Sequence, residues 1–278
     1  MKGFSRAKCS ACIWRCKCWG NPCAIVDNAA HLSKDEMQAM ATHFNLPETV
    51  FIIPDKNQYL LRFFATKGEL PLCCHGALGA AYYLFKSDYG KSFNIKPYQT
   101  KTDLDIACND NLISMSMVNN GKIIDDNIDL DIISKLLAID KTSINAHLPC
   151  AVASIGSPKL LAPVIDRNIL FNMEPNLDLI SQWCKKYSVN GVYVYSNDTE
   201  QPHSDYVGRN FNPLFSNQED IATGVAAAAL AFMLNLKNDK EKNNFTIEQG
   251  ANLTSPSRID VSIDPEKISI KGEAYFNQ

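Results

Sequence analysis

The sequence predicts an α+β protein made of two similar lobes, in each of which short strands surround one apolar helix. A chain of 278 residues is long enough for two domains of ordinary size. Two Ala-rich apolar runs, at residues 76–85 and 225–236, lie about half a chain length apart. Short apolar or alternating segments, which are typical of strands, precede and follow both runs.

The residues before the two Ala-rich runs form an internal repeat. Each copy predicts a strand, a polar loop and the start of a buried helix. Free backbone N–H groups and the positive end of the helix dipole make such a start a binding site for anions. We therefore predict that the two half-domains face a shared cleft. The alignment joins the following pairs: His75 and Gly76 with Thr223 and Gly224, and Arg62-Phe63-Phe64 with Arg209-Asn210-Phe211.

Composition and charge exclude several classes of partner and location. A net charge of −3 and an isoelectric point near 6.0 give no reason to expect nucleic acid or an anionic membrane as a partner. The longest apolar run is too short to cross a bilayer. No cleavable signal is evident at the N-terminus, so the ten cysteines are predicted to be mostly free thiols in a reducing cytoplasm.

The first lobe begins with a helix whose start is marked by a capping box, Ser33-Lys-Asp-Glu36. This helix should end near Asn45, because Pro47 disfavours helical geometry in the residue before it. Strands at 49–53 and 59–64 are predicted to form a hairpin. Glu48 then lies at the mouth of a strand, where a side chain can project into a cleft.

After the first Ala-rich helix, the turn at Asn119-Asn-Gly121 and the polar segment up to Asp129 form a candidate linker. The predicted lobes are therefore 1–118 and 119–265, and a C-terminal strand at 266–278 would complete the first lobe. The remaining predicted elements are strands within 94–106 and at 112–118, 191–196, 206–211, 245–249, 258–263 and 268–275, and helices at 130–139 and 177–187.

Several motifs resemble the PhzF-like (phenazine biosynthesis) family, in the same order and over nearly the whole chain from Gly20 onward. The family shares the diaminopimelate-epimerase fold, in which two pseudo-symmetric lobes each roll a mostly antiparallel sheet around a central helix. The segments that carry the resemblance are Gly20-Asn-Pro22, Asn45-Leu-Pro-Glu-Thr-Val-Phe51, Glu69-Leu-Pro-Leu-Cys-Cys-His75, Arg209-Asn-Phe-Asn-Pro213, Glu219-Asp-Ile-Ala-Thr-Gly224, Gln249-Gly250 and Pro256-Ser-Arg258.

The resemblance implies an isomerase that uses no cofactor and no metal and acts on a small carboxylate. Glu48 matches the glutamate that removes a carbon-bound proton and returns it elsewhere, while His75 and Asp220 match the residues that assist it. The resemblance also implies a homodimer. The predicted substrate contacts, which include the backbone N–H groups that would hold the carboxylate, are Cys73, Cys74, Gly76, Thr223, Gly224 and Val225.

Three departures from the family pattern bear on the substrate. Pro47 stands where the family often has serine, Cys74 replaces a residue that is usually glycine and could narrow the pocket, and Val225 replaces the serine of PhzF proper. Loss of one buried polar partner typically costs about 1–3 kcal/mol, which is enough to change substrate preference. These departures favour an alternative hypothesis, a non-catalytic protein that binds a metabolite or a partner on the same scaffold, whereas the presence of Glu48, His75 and Asp220 favours the enzyme.

The three predicted catalytic residues also have structural interpretations. Glu48 could be a solvated charge at the edge of a strand. Asp220 could cap a helix, and His75 could be a structural histidine. Cys73 fits the first position of a two-cysteine epimerase, but Ile221 is its counterpart in the repeat alignment, and one thiol cannot serve both faces of a carbon atom. The N-terminal cysteines lack the spacing of zinc modules and are interpreted as small buried or adventitious thiols: Cys9, Cys12, Cys16, Cys18 and Cys23.

Overall fold

The computed structural model describes the chain at residues 10–14, 21–56, 58–87, 90–214, 219–238 and 241–276. The chain divides into two compact units, the first formed by residues 1–117 and 271–278 and the second by residues 118–270. Both units combine helices with a mostly antiparallel sheet, which confirms the predicted α+β class.

In the first unit, the strand order is β1-β2-β3-β4-β6-β7-β8-β16, and β1 also pairs with β16, so the sheet closes on itself. The pairs β2–β3 and β4–β6 are parallel. The elements are β1 (Ser10–Trp14), β2 (Pro22–Val26), α1 (Lys34–Phe44), β3 (Glu48–Asp55), β4 (Gln58–Ala65), β5 (Gly68–Leu70), α2 (Cys74–Lys86), β6 (Ser92–Pro97), β7 (Leu104–Asn109), β8 (Leu112–Val118) and the end of β16 (Lys267–Phe276).

Local sequence signals account for the first unit's helices and hairpin. The Ser33 side chain accepts a bond from the Glu36 N–H and the Glu36 carboxylate accepts one from the Ser33 N–H, so the capping box is confirmed. Asn45 ends α1 in the left-handed conformation. β3 and β4 pair as the predicted antiparallel hairpin. Helix α2 is buried on most of its surface and packs on β2, β3 and β7.

In the second unit, the strands follow the order β9-β10-β11-β12-β13-β14-β15-β16, and the pairs β11–β12 and β13–β14 are parallel. Helix α6 is alanine-rich, and most of its residues are buried. The elements are β9 (Lys122–Asp125), α3 (Leu130–Leu137), β10 (Ala151–Ser154), β11 (Lys159–Pro163), α4 (Arg167–Asn172), α5 (Leu177–Tyr187), β12 (Val192–Ser196), β13 (Tyr206–Phe211), α6 (Gly224–Lys237), β14 (Asn244–Gln249), β15 (Ser257–Ile263) and the start of β16.

Part of this architecture differs from the elements predicted from the sequence. The segment interpreted as a linker contains β9, which pairs with β10. The strands β1, β2, β10 and β11 were not predicted, because each is only four or five residues long and lacks a clear alternation of apolar and polar residues. Cys23 is a buried thiol of β2, as expected. Cys9, Cys16 and Cys18 lie outside the described residues, as does the side chain of Cys12.

The internal repeat is present in the structure of the two units. In the first, β2 and β3 are parallel, β3 and β4 antiparallel, β4 and β6 parallel around α2, and β6 and β7 antiparallel. The second repeats this pattern with β11, β12, β13, α6, β14 and β15. The prediction of two similar lobes, each built on one buried helix, is therefore confirmed.

The same ion pair holds the loop before the central helix in both units. Arg62 Nε and Nη2 donate to the two carboxylate oxygens of Glu69 at 2.7 and 2.8 Å. Arg209 Nε and Nη2 donate to those of Glu219 at 2.9 and 2.7 Å. Each glutamate lies five residues before the first residue of its helix. Two parallel bonds fix both the position and the orientation of the loop.

Replacing Arg62 with alanine should destabilise the protein strongly. The Glu69 side chain is only 6% exposed, and removal of Arg62 leaves its buried carboxylate without its main charged partner. Arg62 also lowers the pKa of Glu69 through these bonds. We expect the free energy of unfolding in urea to fall by about 3–5 kcal/mol.

The matched control is Arg258→Ala, because the Arg258 side chain is 51% exposed where it pairs with Asp260. This variant should lose no more than about 1 kcal/mol. Equal losses in the two variants would show that the Arg62–Glu69 pair has no special role.

Within the described part of the chain, no helix has the length and apolar character needed to cross a membrane.

Candidate active site

Glu48 is the first residue of β3, where it lies opposite Cys23 of the parallel strand β2. Its side chain is buried, with 2% of its surface exposed. A Cβ atom added to Gly76 would lie 3.3 Å from Glu48 Cγ and 2.8 Å from Val50 Cγ2. Because glycine has no side chain, the start of α2 can approach the Glu48 side chain closely. Glu48 thus lies beside Gly76, in the first turn of α2.

Cys73 and His75 lie at the same place. Cys73 is the N-cap residue of α2, in an extended conformation, and its Sγ atom is 3.1 Å from Nδ1 of His75. One carboxylate oxygen of Glu48, the Cys73 sulfur and a ring nitrogen of His75 all lie within 4.8 Å of one another. Cys73 and His75 are half-buried. We call these three residues the first-unit cluster; each of them can give up or accept a proton.

The neighbouring thiol of Cys74 has a different environment. It is buried, and burial raises its pKa to about 12. The thiolate is therefore scarce at neutral pH, and Cys74 is a poor nucleophile. A contact between this side chain and a substrate stays a prediction.

In the second unit, Asp220 belongs to a hydrogen-bond network. Thr223 Oγ1 donates to Asp220 Oδ2 at 2.5 Å. Gln249 is fully buried, and its Nε2 donates to the Asp220 carbonyl at 2.7 Å and to Thr223 Oγ1 at 3.2 Å. Gln249 Oε1 accepts from the Thr223 N–H at 3.1 Å and from the Tyr193 hydroxyl at 3.2 Å. These bonds fix the orientation of Thr223 and the backbone position of Asp220.

The N-cap of α6 is Thr223, so the interpretation of Asp220 as a helix cap is wrong. The helix registers also correct the repeat alignment. The N-cap residues of the two central helices are Cys73 and Thr223, so these two residues are equivalent. His75 is then equivalent to Val225. This alignment differs by two positions from the alignment that pairs Gly76 with Gly224. The N-cap pair contains one cysteine only, so the argument against a two-cysteine mechanism holds with Thr223 in place of Ile221.

Gly224 and Val225 are the first two residues of α6, and both are half-buried. Neither N-cap residue caps its helix with its side chain. The assignment of substrate contacts to these helix starts, and of a shared cleft to the two units, stays a prediction.

Sequence analysis missed Lys159 and Tyr193, which are fully or nearly fully buried near Asp220. Lys159 is 2% exposed, and its Nζ donates to the Asn190 carbonyl at 2.5 Å. Burial lowers the pKa of Lys159 to about 8, against the opposing effect of the Asp220 charge. Burial also raises the pKa of the Tyr193 hydroxyl. The signal that could have revealed Lys159 is a single charge before the apolar run 160–165, but this strand was not predicted.

Comparison with known proteins identifies the family. The family model described as PhzC-PhzF, phenazine biosynthesis-like protein, matches residues 17–277. The chain belongs to the PhzF family. An uncharacterized isomerase of Clostridium acetobutylicum is 26% identical over 274 residues, which cover 92% of this PhzF family chain and 90% of the relative.

Solved structures agree on the fold. The PhzF family phenazine biosynthesis protein of Bacillus anthracis has a TM-score of 0.85 at 21% identity, over 97% of this chain and 96% of that one. A hydroxyproline epimerase of Agrobacterium vitis, with bound trans-4-hydroxy-L-proline, has a TM-score of 0.61 at 10% identity, over 99% and 91% of the two chains. The diaminopimelate epimerase-like fold predicted for this PhzF family protein is confirmed.

Replacing Lys159 with methionine should change how stability depends on pH. The folded pKa of about 8 lies below the ordinary value of 10.5, so folding disfavours the protonated amine and native stability rises with pH between these values. Relative to Lys159→Met, the unmodified protein should therefore gain up to about 1.4 kcal/mol per pH unit within this window. Urea unfolding at several pH values measures the difference.

The control is Lys185→Met, which removes an exposed amine of α5. This variant shows the effect of removing a lysine that is not buried. A constant difference for Lys159→Met over the same pH range would contradict the lowered pKa of Lys159.

Proposed function

We propose that this PhzF family protein is an isomerase that moves a proton between two atoms of a small carboxylate metabolite, with Glu48 as the acid/base residue and without a cofactor. The observation that carries the proposal is the first-unit cluster, in which Glu48, Cys73 and His75 lie within 4.8 Å of one another. A general base must come within hydrogen-bond reach of the proton it removes, and partners that orient it increase its efficiency.

The reaction needs no group beyond the chain and its substrate. The Glu48 carboxylate would take a proton from a carbon atom, leaving the electron pair on the substrate. The protonated carboxyl would then return the proton to another position, so the product is an isomer and the enzyme is unchanged. His75, next to the Cys73 thiol, would hydrogen-bond the substrate where negative charge develops.

The start of α2 supplies a candidate position for the substrate carboxylate. The side chain of the N-cap residue Cys73 does not bond to the first N–H groups of the helix. These groups and the helix dipole attract an anion, and Gly76 lets the start of the helix pack closely against Glu48. We propose that Asp220 assists and that Thr223, Gly224 and Val225 also contact the substrate.

Relatives support the isomerase class. A relative that matches this chain over nearly its full length bears the name isomerase, and a protein of the same fold is an epimerase with a bound cyclic amino acid. Epimerisation also removes and returns a proton at carbon. Small cyclic and α-amino carboxylates are therefore the first substrates to test.

Replacing Glu48 with glutamine keeps the size of the side chain and removes the base. With the chain incubated in heavy water and a panel of such carboxylates, the unmodified protein should incorporate deuterium into the correct substrate. The variant should lose roughly 100-fold to 10,000-fold in exchange rate, the usual contribution of a general base. Mass spectrometry and proton NMR measure the exchange.

The matched control is Glu174→Gln, because Glu174 is exposed and lies in the second unit. It should exchange at the unmodified rate. Exchange that survives in Glu48→Gln would refute the role of Glu48. Tight binding of a panel member without any exchange by the unmodified protein would favour the non-catalytic alternative.

A further inference from the structure

The first-unit cluster also has the composition of a metal site. Its three donor atoms are a thiol sulfur, an imidazole nitrogen and a carboxylate oxygen, all of which are ligands for zinc. Within the residues that the structure describes, it is the only group of three such side chains whose donor atoms lie this close together. The family resemblance implied no metal, and the sequence does not reveal this group, because Glu48 lies 25 residues before Cys73.

The distances fit a tetrahedral ion with small adjustments. Zinc–ligand bonds of about 2.0–2.3 Å place neighbouring ligand atoms roughly 3.3–3.8 Å apart. Cys73 Sγ and His75 Nδ1 are 3.1 Å apart, and every pair of donor atoms in the cluster is within 4.8 Å. Coordination of one ion by all three donors would require only small movements of these side chains from their present positions.

Charge and access also suit a divalent cation. With the thiol deprotonated and the imidazole neutral, Cys73 and Glu48 supply two negative charges that balance the ion. Cys73 and His75 are partly exposed, which gives an ion a route from solvent, whereas Glu48 is buried against Val50 and the start of α2. Three protein ligands leave a fourth position for water, as in catalytic rather than structural zinc sites.

We propose that Glu48, Cys73 and His75 form a binding site for a divalent transition-metal ion of the zinc type. Under the proposed function, on which this consequence rests, the bound ion is an inhibitor. A Glu48 carboxylate that coordinates the metal cannot accept a proton from a carbon atom, so the metal and the substrate compete for the site.

Cobalt(II) is the probe for binding, since its spectrum reports thiolate coordination directly. The unmodified protein, reduced and freed of metal, should show a thiolate-to-cobalt charge-transfer band, and zinc should displace the cobalt. In Cys73→Ser the charge-transfer band should be weaker by the contribution of the Cys73 thiolate. In His75→Gln and Glu48→Gln the affinity should fall at least about tenfold, since even loss of an outer-shell partner costs 10-fold to 100-fold.

The matched control is Cys150→Ser, which removes a half-buried thiol of the second unit and should leave the spectrum unchanged. Circular dichroism verifies that each variant is folded. Because the chain has other cysteines, spectra are compared as unmodified protein minus Cys73→Ser. A cobalt band of equal strength and affinity in Cys73→Ser would overturn the proposal.

Chemical labelling gives a second readout that does not depend on a variant. Zinc should slow the alkylation of Cys73, measured by mass spectrometry of the labelled peptide, and leave that of Cys150 unchanged. Equal alkylation of Cys73 with and without zinc would refute the site.

These tests use no substrate, so the metal site and the proposed function can fail separately. If the protein binds metal but deuterium exchange does not depend on Glu48, the metal site is supported and the proposed inhibition by the metal is wrong. If deuterium exchange depends on Glu48 but cobalt does not bind at Cys73, the metal site is wrong and the proposed function is unaffected.

Discussion

The bidentate pair between an arginine of the hairpin and a glutamate of the following loop is the interaction on which both units depend. Arg62 binds Glu69 in the first unit, and Arg209 binds Glu219 in the second. In each case, the glutamate precedes the central helix by the same number of residues. A loop fixed in this way places the first turn of the helix, and with it the residues that carry the chemistry.

The two units share this ion pair but place different side chains at the start of the central helix. In each, the side chain of the N-cap residue bonds to a titratable side chain: Cys73 to His75, and Thr223 to Asp220. The first unit adds the buried carboxylate of Glu48 and forms a group of potential proton carriers. The second adds Gln249, which holds Thr223 and the Asp220 backbone, and so forms a rigid polar network. The repeat preserves geometry while the chemical roles diverge.

Much of the fold could be predicted because its signals are local. A capping box indicates α1, alanine-rich runs indicate the central helices, and two neighbouring apolar segments indicate the β3–β4 hairpin. The strands β2, β10 and β11 could not be predicted, since a short apolar run does not by itself distinguish a strand from other buried segments. The alignment error in the repeat has a similar cause: the glycines suggested one register, and the hydrogen-bonded helix starts require another.

The candidate site was predicted from the resemblance to the PhzF family more than from the spacing of residues in the sequence. Nothing in the spacing of Glu48 and His75 indicates that they meet; β3 and α2 bring them together through tertiary packing. The burial of Lys159 could not be predicted, because the residues that it contacts, among them Asn190, are distant in sequence.

The most direct test of the proposed chemistry is a crystal structure of the Glu48→Gln variant with the carboxylate identified by deuterium exchange. The account predicts that the exchanging carbon atom lies within hydrogen-bond reach of the residue 48 side chain, with His75 and Cys73 beside it. A ligand bound away from this cluster, or a residue 48 side chain turned away from the exchanging carbon, would contradict it.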